Sequence, residues 1–247
     1  MDHREHCDLL AAEVAAFGAL VGELPPGTPV PTCPGWDLRS LALHLGGVHR
    51  WAEGLVLAQA TARRPRDRAA GEPGAPDRAW ILEGGETLLA TLRAARPDAP
   101  MWSWGADQHV RFWSRRMLHE TVVHRVDAEL VGGREPVVPA AVAADGIDEL
   151  LANLPARLAG SEAAAALRGR GEVVTVRATD VPAAWAIRLD ADGFSAGEDP
   201  GRADAVLAGP AAGLLLALYR RRTPAEAGVT VDGDPALAER WLAHTAL

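Results

Sequence analysis

The sequence contains no lysine; all 25 of its basic residues are arginine. That absence excludes a Schiff-base lysine, a Walker A phosphate loop and a kinase-type lysine. The 33 acidic residues outnumber the basic ones, giving a net charge of −8, whereas a nucleic-acid binder needs a basic stripe to displace counterions. Two cysteines, Cys7 and Cys33, without a CxxC pair exclude a disulfide framework and finger-type structural zinc. No apolar run approaches the roughly 20 residues of a membrane span. The opening MDHREHCDLL is charged and lacks the apolar core of a signal peptide. These absences predict a reduced, cytoplasmic protein that engages neither nucleic acid nor membrane.

The 247 residues are 48% hydrophobic, enough for a packed core. Leu10, Val14, Phe17, Val21 and Leu24 recur at helical spacing, and a Pro/Gly-rich connection follows. Asp37 is a suitable N-cap for a second helix running through His44 and Trp51 towards Ala62. Arg63 to Pro76 reads as an exposed loop, followed by helices over Asp77–Ala95 and Gln108–Val131. Four such helices predict an antiparallel bundle over residues 1–137. Residues 138–247 predict a small α+β domain, so the whole chain reads as α+β. Its first helix spans Ala140 to about Leu158. Strands are expected at Val173–Val176, Trp185–Leu189, Ala205–Leu207 and Val229–Val231, with helices at Ala211–Tyr219 and Pro235–His244.

The fourth helix carries Val110, Trp113, Met117, Glu120, His124, Asp127 and Val131 at alternating spacings of three and four. A bundle helix turns such a seam towards its neighbours. Its middle is Glu, His and Asp, and buried charges need partners or a metal. Glu120 and His124, four apart, share one helical face, and His44 lies on the inward stripe of the second helix. Two histidines and one carboxylate form a site with open coordination positions, a catalytic arrangement. Asp127 is placed to orient a ligand from behind, and a packed core His–Glu pair is the rival reading.

Two tempting motifs fail. His119-Glu120 with His124 is one residue too long for HExxH, since histidines five apart cannot share a face. Gly193-Phe194-Ser195-Ala196-Gly197 matches GxSxG, but no helix follows the serine, so it reads as part of a hairpin. Cys33 sits in a proline-rich loop without an evident cationic neighbour. Trp51, Trp102, Trp104 and Trp113 are candidates for core packing or for lining a cleft.

Two segments resemble the signatures of the mycothiol-dependent maleylpyruvate isomerase family. The first runs from Val30-Pro31-Thr32-Cys33-Pro34-Gly35-Trp36-Asp37 to His44-Leu45; the second is Arg116-Met117-Leu118-His119-Glu120-Thr121-Val122-Val123-His124-Arg125-Val126-Asp127. The resemblance implies a DinB-like four-helix bundle with zinc held by His44, Glu120 and His124. It also implies a sterol-carrier-like C-terminal domain, on Arg177-Ala178-Thr179-Asp180, Ala205 to Gly209 and Val231-Asp232-Gly233-Asp234. The family carries a functional arginine after this domain's apolar helix, usually following glycine. Here Arg220-Arg221-Arg222 stands without one, and Arg221 is the first choice. The alternative is that these cations simply complement the helix macrodipole.

The implied activity uses mycothiol as co-substrate. Bound to zinc as thiolate, it would attack a small-molecule electrophile, giving isomerisation or an S-conjugate. A thiol-independent reading keeps the metal for hydrolysis with Glu120 or Asp127 near the bound water, or for Fe(II) oxygen chemistry. A third reading is a small-ligand carrier or sensor. A monomer or homodimer fits each.

Overall fold

The computed structural model describes residues 1–66, 76–197 and 201–245. The chain folds as two units, Met1–Pro136 and Val137–Leu247. The first contains helices α1 (His3–Glu23), α2 (Leu38–Leu57), α3 (Arg78–Ala94) and α4 (Val110–Val131). The second contains α5 (Ala140–Leu158), α6 (Glu162–Ala166), β1 (Glu172–Ala178), β2 (Ala184–Asp190), β3 (Gly193–Gly197), β4 (Ala205–Gly209), α7 (Ala211–Leu218), β5 (Thr230–Gly233) and α8 (Pro235–Thr245). The α+β reading holds. No helix among the described residues is long and apolar enough to cross a membrane.

Local chemistry sets the helix starts. Asp2 caps α1 through a capping box with Glu5, and the Asp37 carboxylate accepts from the Ser40 backbone at the head of α2. Asp77 does the same for α3 through Trp80. α2 stops at Leu57 instead of continuing towards Ala62, because Gln59 adopts φ 43° and turns the chain back. Phe17, Leu20, Leu41, Leu45 and Ile81 form much of the core between α1, α2 and α3. α4 is buried on nearly all sides, well beyond the single seam that its spacing predicts. Its Arg125 is only 4% exposed and pairs with Glu13 of α1 and, at 2.6 Å, with Glu129.

Close helix packing depends on glycine. A Cβ on Gly46 of α2 would lie 2.1 Å from the Trp80 ring of α3. Arg50 stacks on that ring at 4.0 Å and donates to the Trp80 carbonyl at 2.8 Å, so the indole has little freedom to withdraw. Gly46→Ala is therefore expected to destabilise the protein by about 2 kcal/mol, read as a lower denaturant midpoint at unchanged slope. An unchanged midpoint would show that the ring moves aside.

In the second unit the strands form one sheet in the order β3-β2-β1-β4-β5, with β1 and β4 parallel and the other pairs antiparallel. Its core includes Val174, Val176, Ile187, Leu189 and the Leu214–Leu218 stretch of α7. The sequence predicts four strands, a hairpin at Gly193–Gly197 and no helix near Glu162; the hairpin arm forms β3 and α6 is additional. Both are short and offer no strong apolar alternation. Ser195 lies in β3, paired with Arg188 of β2, which places the GxSxG match in a hairpin. Of the predicted loop from Arg63 to Pro76, residues 67–75 lie outside the described residues, as do residues 198–200 after the hairpin.

Candidate metal centre

α2 and α4 pack against each other and bring His44 to Glu120 and His124. His44 Nε2 lies 3.0 Å from Glu120 Oε1, and His124 Nε2 lies 3.5 Å from that same oxygen. The two imidazole rings meet edge to face, with centroids 4.9 Å apart. Their ligand atoms all lie within 4.8 Å of one another. A tetrahedral ion with bonds of about 2.1 Å separates its donors by about 3.4 Å, within the range of the separations seen. Two imidazole nitrogens and one carboxylate oxygen can thus hold one divalent ion and leave a position for an incoming ligand.

The charge state around these donors is set by opposing effects. Burial resists ionisation of Glu120, but Arg116 and hydrogen bonds from His124 and His44 outweigh it and hold the carboxyl well below its ordinary range. For His44, burial outweighs the attraction of Glu120, with His124 and Arg66 also disfavouring the cation, so the imidazole is held neutral. His124 is also buried, but its bonds to Asp127 and Glu120 raise its pKa above the ordinary value.

Asp127 is fully buried beneath His124. Its Oδ2 lies 2.9 Å from His124 Nδ1, and its Oδ1 accepts from the Thr32 hydroxyl at 2.6 Å. A proton held on Nδ1 leaves Nε2, which faces Glu120, as the nitrogen that becomes a metal donor once its own proton is lost. The Cys33 thiol is directed at Asp127 Oδ2, 3.6 Å away. An anion there is the reverse of the cationic neighbour that activates a cysteine nucleophile. Cys33, His124 and Asp127 form a second set of potential donors within 4.8 Å, sharing His124 with the first.

Sequence reading does not single out Arg116, which pairs with Glu120 Oε2 and leaves Oε1 towards the histidines. The available signal is an arginine four residues before a buried carboxylate on one helix. His119 turns away, with its ring 6.4 Å from His6 of α1, consistent with the failure of HExxH. Trp113 is fully buried core, and its indole N–H donates to the Trp102 carbonyl at 3.1 Å. Trp51, Trp102 and Trp104 instead line a cavity of about 310 Å³. Arg221 lies in the second unit after α7, where it donates to the Tyr219 carbonyl at 2.9 Å.

His49, five residues beyond His44 on α2, is completely buried and bonds through Nε2 to Thr121 Oγ1 at 2.9 Å. The Thr121 hydroxyl donates to the Met117 carbonyl, so His49 is the donor to Thr121. Burial depresses the His49 pKa to about 4. Above pH 6.5 both folded and unfolded forms are neutral and the stability is intact. As pH falls from 6.5 towards about 4, the unfolded chain takes up a proton that the folded one refuses, and about 3 kcal/mol is lost. His49→Gln is expected to remove that loss, measured as the stability difference between pH 7 and 4.5. An equal difference in both proteins would show that His49 is not the acid-sensitive group.

Family comparison covers both units. The mycothiol maleylpyruvate isomerase N-terminal domain matches residues 7–129, and the corresponding C-terminal domain matches residues 141–240. No curated protein sequence matches the chain. Crystal structures of a mycothiol-dependent maleylpyruvate isomerase share its fold. The unmutated enzyme is 15% identical with a TM-score of 0.61, over 94% of this chain and 93% of that one. A histidine-to-alanine mutant is 16% identical with a TM-score of 0.63, over the same shares of the two chains. The domain matches together span most of the sequence, and the protein belongs to the mycothiol maleylpyruvate isomerase family.

Proposed function

We propose that the protein is a zinc-dependent enzyme that uses mycothiol to attack a small electrophile. The observation that carries this reading is the convergence of His44 Nε2, Glu120 Oε1 and His124 Nε2 at spacings suited to one divalent ion. When bound, zinc lowers the pKa of an incoming thiol so that it is a thiolate at neutral pH. The chain's own groups prepare that position. Arg116 fixes Glu120 by its far oxygen, Asp127 fixes the tautomer and tilt of His124, and the Trp36 indole packs 5.0 Å from the His44 ring. Addition of the thiolate forms an S–C bond and moves an electron pair onto the electrophile's conjugated carbonyl. Return of that pair after rotation expels the thiolate and yields an isomer; protonation instead yields the S-conjugate. Neither route needs an oxidant or reductant.

Arg221 is carried as a functional residue by the family resemblance, and backbone conformation supports its register. Arg220 adopts φ 54°, a left-handed conformation that glycine favours. That conformation supports reading Arg221 as the residue that follows the glycine-favouring position.

The test is to load the purified protein with zinc and supply mycothiol with maleylpyruvate and other conjugated acceptors. Thiol-dependent isomerisation or conjugate formation is expected. Turnover of an ester or amide without thiol would replace this reading with hydrolysis. A protein that binds zinc but turns over nothing would leave the ion a structural role.

A further inference from the structure

We propose that the cavity formed by Trp51, Trp102, Trp104, Arg63, Arg64 and Arg66 is a binding subsite for the carboxylate end of a flat, conjugated or aromatic acid. It rests on the reading above in one respect only, that such an acid is the electrophile. The cavity adjoins the metal centre along one face of α2. His44, Val48 and Trp51 stand at i, i+4 and i+7, and Val48 and Trp51 line the cavity. Val48 lies four residues beyond His44 and Trp51 seven, so the pocket's α2 lining runs from about 6 to about 10.5 Å along the helix axis.

Its construction accounts for both halves of the ligand. Gly47 leaves room for the Arg66 guanidinium, since a Cβ there would lie 2.8 Å from Arg66 Nη2. The loop carrying the arginines is tied down twice, by the Trp51 indole N–H to the Arg64 carbonyl at 3.0 Å and by the Trp102 N–H to the Ala60 carbonyl at 2.6 Å. Among the described residues, no ion pair engages Arg63 or Arg64. On the opposite side, Trp104 packs 6.0 Å from the Arg116 guanidinium, the partner of Glu120. Guanidinium groups recognise a carboxylate through paired N–H donors, and indole faces accept a flat apolar body. In a protein of net charge −8, three arginines around three indoles form a local cationic basin.

The test uses unreactive probes, benzoate and its neutral isostere benzamide, titrated into the full protein with and without zinc and followed by ligand-observed NMR. Saturable benzoate binding is expected, at least tenfold tighter than benzamide and weakened by added salt. Arg66→Ala and the Arg63→Ala, Arg64→Ala double variant are each expected to weaken benzoate at least tenfold, with zinc content and circular dichroism unchanged. Equal binding of the two probes, or benzoate binding insensitive to both variants, overturns the proposal. The two readings fail separately. Arginine-dependent benzoate binding in a protein without thiol chemistry retains the subsite, whereas thiol chemistry in a protein that ignores benzoate removes it.

Discussion

Glu120→Ala is expected to reduce bound zinc from about one ion per chain to below about a tenth, and thiol-dependent turnover with it. Glu120 supplies both the only negative charge among the three donors and the oxygen that faces both histidines. Its removal has a second consequence. Arg116, 7% exposed, loses its ion pair with Glu120, and breaking a buried pair lowers stability by about 3 kcal/mol. Metal loss and destabilisation are separated by His124→Ala, which removes a donor while leaving the Arg116–Glu120 pair in place. The expected pattern is loss of zinc in both variants, with the loss of the Arg116–Glu120 pair and its share of metal-free stability confined to Glu120→Ala. Elemental analysis with denaturant titration of the metal-free proteins reads both effects. Near-stoichiometric zinc in either variant would remove His44, Glu120 and His124 as the binding set.

Helix periodicity makes part of this arrangement legible in the sequence. The Glu120, His124 and Asp127 stripe and the inward setting of His44 follow from residues three, four or seven apart on one helix. Periodicity carries no information about which loop folds over a helix. Thus Thr32 and Cys33, distant in sequence from Asp127, are found beside it only in the structure. Arg66 is a similar case: the segment from Arg63 reads as exposed polar loop, yet it returns over Gly47 and closes a cavity against three indoles. Arg63 and Arg64 are exposed there, as composition suggests, but Arg66 is half-buried. In the second unit, β1, β2 and β4 are legible because their side chains face a core. β5 has four exposed residues and β3 none that is buried, and such edge strands leave little hydrophobic pattern to read.

Asp127→Asn is expected to weaken zinc binding by about 10- to 100-fold while preserving the fold. The substitution keeps the size of a fully buried side chain but removes the charge that holds a proton on His124 Nδ1. The amide can present an N–H to that nitrogen, which favours the other tautomer and puts the proton on Nε2, the nitrogen facing Glu120. A metal must then displace that proton before His124 can serve as a donor. The same logic gives the sign of the pH effect. Asp127 and Glu120 raise the His124 pKa, so metal-free wild type holds this proton through more of the range above 6.5, and zinc affinity rises as pH increases through the raised value. Without the Asp127 charge that value falls, so the affinity of Asp127→Asn should level off at lower pH while its plateau remains below wild type. Thr32→Val provides the control: it removes one bond to Asp127 without altering the carboxylate's charge, and a much smaller loss is expected. Chelator competition across pH measures all three proteins. Matching affinities and pH profiles for wild type and Asp127→Asn would show that Asp127 anchors the Thr32–Cys33 loop and has no part in setting the His124 donor.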